Sequence, residues 1–116
     1  MREVEKDPIR LQHILESIDN LLESYSQLDF DSLNNRDIRY FGIVKLLEII
    51  GEASYMLTNE FKEAHPQTPW RQIIDMRHIL VHGYYKMDKD YIKSTVEEDL
   101  KPLHSQILSY LKEFEN

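Results

Sequence analysis

Apolar residues recur at helical spacing over most of this chain, and this pattern limits the fold more than any other feature of the sequence. The first apolar stripe consists of Leu11, Ile14, Leu15, Ile18, Leu21, Leu22 and Tyr25. It follows Asp7-Pro8, a pair typical of a helix N-cap with proline at the first helical position. The chain contains only three glycines and four prolines, so little in the sequence opposes helix formation. We therefore predict an all-α protein.

A second, longer helix is predicted from near Arg36 to about Phe61, because apolar residues mark one broad face over this range. Gly51 lies inside it, although glycine in a helix interior costs about 1 kcal/mol relative to alanine. A close crossing of another helix at Gly51 would explain this choice of residue. The width of the apolar face places this helix at the centre of the fold.

The second half of the chain predicts three shorter helices. The first runs from about Trp70 to His82. Asp88 or Asp90 caps the next helix, and a break near Asp99 precedes the last one, because Pro102 is tolerated in the first turn of a helix but not deep inside it. Together the segments predict an antiparallel bundle of four to five helices.

Length and composition define the class of protein. The 116 residues fit one helical domain over residues 1–116. No apolar run of about 18 residues is present, and the charged N-terminus lacks an apolar signal core, so we expect a cytoplasmic protein with no membrane span. Cysteine is absent, which excludes disulfides and zinc–thiolate sites. The net charge of −7 argues against non-specific binding of nucleic acid through a broad basic surface.

The stretch with the most chemically active side chains is residues 76–85, at the end of the predicted third helix. Arg77 lies on the apolar stripe of that helix, where a guanidinium is costly unless it is paired, since it cannot lose its proton. The sequence therefore predicts that Arg77 pairs with a carboxylate or binds a phosphate. Glu52 is the first candidate partner, because the small residues Gly51 and Ala53 on either side of it permit close approach.

His78 and His82 are four residues apart, a spacing at which two imidazoles can share a metal ion. The stronger form of that motif has glutamate after the first histidine, whereas this chain has Ile79. A third ligand would have to come from elsewhere, such as Glu48 or Glu52, so we expect no metal and no cofactor. Imidazoles near a helix C-terminus can also stabilise the helix dipole, and for His78 that structural role stays open beside a functional one.

Helix geometry limits which of these side chains can meet within one chain. In an ideal helix five residues rotate by about 140°, so Arg77 and His82 do not share a face, whereas Arg77 and Tyr84 nearly do. His82 can join them if the helix loosens at Gly83, or it can meet the same residues of a second copy across a two-fold axis.

Three short motifs in this chain, taken in order, resemble a known family. The stretch Arg77 to Tyr84 fits the Arg-x4-His-x-Tyr motif of HEPN-domain ribonucleases, and the chain most closely resembles their HepT-like branch. The branch pattern is a long helix ending in Ile-Gly-Glu-Ala, here residues 50–53, then Pro-Trp, here residues 69–70, then the motif. One departure is His78, since asparagine is the usual residue after the arginine.

The resemblance implies a homodimeric HEPN-like bundle with the motif at the dimer interface, and metal-independent cleavage of RNA, with tRNA or mRNA as possible substrates. Arg77 and His82 would be the catalytic residues, with Glu52 and His78 in supporting roles. It further implies a toxin–antitoxin pair, in which an MntA-like minimal nucleotidyltransferase neutralises the toxin by adenylylating Tyr84. The alternative is a non-catalytic subunit that binds substrate for the nucleotidyltransferase or acts as its antitoxin.

Overall fold

The computed structural model describes residues 3–82 and 88–115, and within these ranges every regular element is helical. The elements are a 3-10 turn at Val4–Lys6, α1 (Asp7–Ser26), a 3-10 turn at Phe30–Ser32, α2 (Ile38–Met56), α3 (Asn59–Ala64), α4 (Trp70–His82), α5 (Lys89–Ser94), a π-helical segment at Thr95–Asp99 and α6 (Leu100–Lys112). α5, the π-helical segment and α6 follow one another without interruption and count as one helical segment. The described residues therefore hold five helical segments besides the two 3-10 turns. The predicted all-α fold is confirmed. None of the described helices is long and apolar enough to cross a membrane.

The core lies between the four longest helices, α1, α2, α4 and α6. Their most deeply buried side chains include Leu11, Ile14, Ile18 and Leu21 of α1, Leu47 and Ile50 of α2, Leu80 of α4 and Ile107 of α6. Removing each such side chain from water contributes about 1.5–3 kcal/mol. Contacts at the helix ends give the directions: Tyr25 at the end of α1 lies against Phe30, which stacks on Tyr40 near the start of α2. α1 and α2 are therefore antiparallel.

The prediction that Asp7 is the N-cap of α1 is wrong. Lys6 occupies the N-cap position, and Asp7 is the first helical residue, with 1% of its surface exposed. Its carboxyl oxygens accept hydrogen bonds from the backbone N–H of Thr58 (3.0 Å) and from the Thr58 hydroxyl (2.7 Å). A buried carboxyl group needs donors, and Thr58 supplies two. The Asp7 side chain, which the local sequence assigned to capping α1, is therefore used in a tertiary contact with Thr58.

α2 begins two residues later than the predicted start at Arg36. Asp37 is its N-cap, and its side chain accepts a hydrogen bond of 2.8 Å from the backbone N–H of Arg39. The Arg39 guanidinium also donates to both oxygens of the Asp37 carboxylate, at 3.0 and 2.8 Å. These hydrogen bonds favour the charged form and lower the pKa of Asp37 to about 2.

α2 also ends earlier than predicted, so the expectation of one helix reaching Phe61 is wrong. The helix stops at Met56, because Leu57 and Thr58 adopt extended backbone conformations. The Thr58 hydroxyl oxygen then accepts a hydrogen bond from the backbone N–H of Phe61 and caps α3. The contact between Asp7 and Thr58 fixes this break, and periodicity could not reveal it because the apolar stripe continues across both helices.

The C-terminal helices agree with the prediction at their start and differ in the middle. Asp88 caps α5, since its side chain accepts a hydrogen bond of 2.8 Å from the N–H of Asp90. The predicted break near Asp99 is wrong, because the chain stays helical through the π-helical segment. The ring of Pro102 would crowd the carbonyl four residues earlier, at Glu98, which lies in that segment. The wider turn accommodates the ring without ending the helix.

Candidate functional site

α4, which carries the Arg77 motif, is fixed firmly in the core. Trp70 opens the helix, and its indole Nε1 donates a hydrogen bond of 2.9 Å to the carbonyl oxygen of His65. Met76 and Leu80 on the inner face are 5% and 2% exposed. The predicted start of the helix near Trp70 is confirmed, and the helix continues to His82, the last residue described before residues 83–87.

α4 crosses α2 at Gly51. A Cβ atom placed on Gly51 would lie 2.3 Å from the Cβ of Arg77 and 3.2 Å from its Cα, and the first of these distances is shorter than side-chain carbons tolerate. The close crossing predicted at Gly51 is therefore confirmed, and the residue that crosses is the motif arginine itself. The absence of a side chain on Gly51 sets the position of the Arg77 backbone against α2.

Arg77 and Glu52 form the predicted ion pair, with 2.8 Å between Nε of the guanidinium and Oε2 of the carboxylate. Their side chains are 31% and 49% exposed, so the pair is partly solvated, not buried. A pair of this exposure contributes at most about 1 kcal/mol to stability. Its larger effect is to orient the guanidinium, since Nε of Arg77 is held by the Glu52 carboxylate.

A groove of about 380 Å³ between α1, α2 and α4 contains this ion pair. Its titratable side chains are Arg10 and His13 of α1, Lys45, Glu48 and Glu52 of α2, and Arg77 of α4. Each carboxylate lies near a cation, since Glu48 is 3.9 Å from Lys45 and Glu52 is 2.8 Å from Arg77. The groove is therefore locally cationic within a chain whose net charge is −7, and it suits an anionic ligand.

Sequence reasoning did not identify Arg10, His13 and Lys45 as part of this site. Arg10 and His13 are three residues apart on α1, and Lys45 stands in the same relation to Glu48 on α2. Spacing of this kind shows that two side chains share a face of one helix. It does not show which face of which other helix they meet, and that information comes only from the packing of α1 on α2.

His78 and His82 lie side by side, with ring centroids 4.9 Å apart and ring planes inclined at 55°. Both side chains are exposed, and neither lines the groove that contains Arg77. Within one chain the structure therefore brings Arg77 together with Glu52 and the two histidines with each other, as the helical rotation between residues 77 and 82 predicts. Over residues 3–82 and 88–115, no group of three or more metal-ligating side chains is close enough to hold a metal ion.

Tyr84 and Gly83 lie outside the described residues. The prediction that Tyr84 is the modification site therefore stays a prediction, and the alternative in which the helix loosens at Gly83 stays open.

Comparison with known proteins connects this geometry to a family. The sequence profile of the family described as "Ribonuclease HepT-like" matches residues 14–110, which include α2, all of α4 and the motif. The chain belongs to the HepT-like ribonuclease family. Arg10 and His13 lie before the first matched residue.

Curated relatives of this HepT-like chain carry ribonuclease names. "Putative RNase MJ1380" of Methanocaldococcus jannaschii is 36% identical over 98 residues, which are 84% of this chain and 89% of that protein. "Probable ribonuclease HepT" of Thermococcus cleftensis is 37% identical over 93 residues, 80% of this chain and 84% of that protein. "Putative RNase TTE0752" of Caldanaerobacter subterraneus subsp. tengcongensis is 32% identical over 102 residues, 88% of this chain and 91% of that protein. No solved structure matches the chain significantly.

Proposed function

We propose that this HepT-like chain is a metal-independent endoribonuclease, the toxin of a toxin–antitoxin pair, in which Arg77 and His82 cleave tRNA or mRNA. The observation that carries the proposal is the family match over residues 14–110, which contains both residues at the motif spacing. The pairing of Arg77 with Glu52 at the edge of a cationic groove supports it, because an oriented guanidinium presents a planar pair of donors that fits a phosphate.

RNA supplies its own nucleophile for this reaction, and the protein supplies proton transfer and charge. The 2′-oxygen forms a bond to the adjacent phosphorus while the bond from phosphorus to the 5′-oxygen breaks, which leaves a 2′,3′-cyclic phosphate and a 5′-hydroxyl end. A base takes the proton of the 2′-hydroxyl, and an acid gives a proton to the leaving 5′-oxygen. Imidazole suits both roles near neutral pH, so His82 is assigned to proton transfer. Arg77 stabilises the negative charge that develops on the phosphorane oxygens.

The reaction needs two proton-transfer groups, and we assign them to His82 from each copy of a homodimer. Three observations support this arrangement. His82 is exposed and turned away from the groove of its own Arg77. Ile79, three residues before His82 and on the same side of α4, is an apolar residue with 46% of its surface exposed, which association would cover. His78, whose ring centroid is 4.9 Å from that of His82, is placed to support it within the same chain.

Regulation by a minimal nucleotidyltransferase of the MntA-like kind completes the proposal. The partner transfers an adenylyl group from ATP to the phenol oxygen of Tyr84, seven residues after Arg77 in the chain. The new bond to the α-phosphorus forms as the bond to pyrophosphate breaks, and pyrophosphate and the phenol proton are released. The new phosphodiester carries one negative charge that can pair with Arg77 in place of RNA phosphate, and the purine blocks access by its bulk. Mass spectrometry of the chain co-expressed with such a partner should locate adenylate on Tyr84, and adenylate on Tyr85 with Tyr84 bare in an inactive protein contradicts this assignment.

Cleavage is tested by incubating the purified chain with total RNA in EDTA and mapping the new 3′ ends. We expect cyclic phosphate ends from the wild type, and loss of cleavage in Arg77→Ala and in His82→Ala with both variants still folded. Arg71→Ala is the matched control, because Arg71 is on the same helix with its side chain 95% exposed. If both motif variants cut RNA at the wild-type rate, the assignment is wrong. A wild type that binds a nucleotidyltransferase but never cuts RNA supports the alternative of a non-catalytic subunit.

The dimer is tested by mixing. When an equal amount of inactive His82→Ala chain is added at constant wild-type concentration, random exchange of subunits should lower cleavage to about half if each site needs both copies. Independent sites leave the rate unchanged. A monomer in sedimentation at micromolar concentration that still cuts RNA would end the dimer proposal.

A further inference from the structure

Arg10 of α1 carries the one buried side-chain nitrogen or oxygen that lacks a hydrogen-bond partner in the described part of the chain. Its Nε has no hydrogen-bond partner there and is closed off from solvent. A guanidinium keeps its proton under all ordinary conditions, so it cannot avoid the cost of an unpaired donor by becoming neutral. Nε itself has no accessible surface, so a ligand in the groove would contact the other parts of Arg10, which line it.

The surroundings of Arg10 indicate an anionic ligand. Arg10 and His13 line the same groove as Arg77, and neither has an ion-pair partner among residues 3–82 and 88–115. The two carboxylates of the groove do not neutralise them, since Glu52 is engaged by Arg77 at 2.8 Å and Glu48 lies 3.9 Å from Lys45. Two cationic or protonatable groups therefore remain available at the α1 side of the groove.

We infer that Arg10 and His13 form a second phosphate subsite, which holds a backbone phosphate of RNA next to the phosphate bound by Arg77. This inference rests on the proposed function, because it takes the groove ligand to be the RNA strand. A single strand carries one negative charge at each nucleotide. A strand that reaches Arg77 through this groove therefore brings a further phosphate to the side of the groove formed by α1. Arg10 donates from a planar fork that matches phosphate oxygens, and His13 adds a donor from the exposed side. The subsite positions substrate and takes no part in proton transfer.

Both residues precede the first residue matched by the family profile. The family match therefore does not cover Arg10 and His13, and the subsite is inferred from the geometry of the groove. A phosphate subsite also explains why the α1 side of the groove is cationic in a chain whose net charge of −7 repels nucleic acid.

The test is fluorescence anisotropy with a short single-stranded RNA in which every 2′-hydroxyl is methylated, so that binding occurs without cleavage. Arg10→Gln and His13→Gln are compared with Arg71→Gln, a control that removes the same charge from an arginine whose side chain is 95% exposed on α4. Each phosphate contact contributes about 0.7 to the slope of log K against log salt concentration for single strands. We expect Arg10→Gln to weaken binding and to lower the slope by about 0.7, while Arg71→Gln leaves it unchanged.

The possible outcomes separate this inference from the proposed function. If Arg10→Gln and His13→Gln bind with the wild-type affinity and slope while the wild type cuts RNA, the subsite is wrong and the ribonuclease proposal stands. If the wild type never cuts RNA but binds the oligonucleotide in an Arg10-dependent way, the subsite stands and the catalytic proposal falls. If the wild type does not bind the oligonucleotide, the subsite falls, and the ribonuclease proposal falls with it only if the wild type also fails to cut RNA. Should Arg10→Gln fail to fold, as circular dichroism would show, the exposed His13→Gln and the charge-preserving Arg10→Lys decide the question.

Discussion

Replacing Gly51 with alanine tests the packing that positions the motif arginine. The added Cβ would lie 2.3 Å from Cβ, 3.1 Å from Cγ and 3.2 Å from Cα of Arg77. Carbon atoms in favourable contact are about 3.5–4.0 Å apart, so α4 must withdraw from α2 by about 1 Å. The nearest atoms belong to the backbone end of Arg77, and a rotation about its side-chain bonds cannot relieve the overlap.

Two opposing terms set the size of the effect. Overpacking a well-packed contact costs about 1–3 kcal/mol, and alanine in place of glycine in a helix interior returns about 1 kcal/mol. Because three atoms of Arg77 are too close, the first term lies toward the upper end, and we expect a net loss of about 1–2 kcal/mol in the free energy of unfolding. For a domain of this size that loss lowers the melting temperature by about 4–8 °C.

Gly42 provides a matched control in the same helix, since a Cβ placed there meets nothing within 4 Å. Gly42→Ala should therefore gain about 0.5–1 kcal/mol from helix propensity alone. The assay is thermal and urea unfolding of both variants followed by circular dichroism. Equal shifts for the two variants, or a Gly51→Ala protein more stable than the wild type, would falsify the claim that Gly51 is required by the crossing of α4.

Three further predictions concern polar contacts. Asp7→Ala leaves both donors of Thr58 unpaired and should cost about 1–3 kcal/mol in urea unfolding, whereas a change below about 0.5 kcal/mol would mean that the contact is dispensable. Glu52→Ala removes one partner of a partly solvated ion pair and should cost no more than about 1 kcal/mol in the same assay, while a loss of about 3–5 kcal/mol would indicate that the pair is buried, for example at a dimer interface. Hydrogen bonds from Arg39 lower the pKa of Asp37 from its ordinary value of 3.8 to about 2 in the folded protein. The stabilising effect of the Asp37 carboxylate is therefore fully present above the ordinary pKa and is lost as the pH falls through the pKa of the folded state. The difference in melting temperature between the wild type and Asp37→Asn should therefore narrow between about pH 4 and about pH 2, and a constant difference would show that the carboxylate charge is not involved.

The sequence determined the features that depend on neighbours along one helix. The start of α4 near Trp70, a cap at Asp88 or Asp90 and the all-α class follow from spacing and capping chemistry, which act within a few residues, and the structure shows that Asp88 is the cap. The pairing of Arg77 with Glu52 was also predictable, since a guanidinium on an apolar stripe needs a partner and Gly51 marked the place where another helix could approach.

Tertiary structure alone decided how the helix faces meet and where helices end. Asp7 carries the sequence signal of an N-cap, yet it bonds Thr58, 51 residues away, and that contact ends α2 before Phe61. Arg10 and His13 lie three residues apart on α1, and only the packing of α2 and α4 places them in one groove with Arg77. The physical reason is that helical periodicity fixes which side chains share a face, whereas the partner of each face depends on burying the apolar stripes of all four long helices at once.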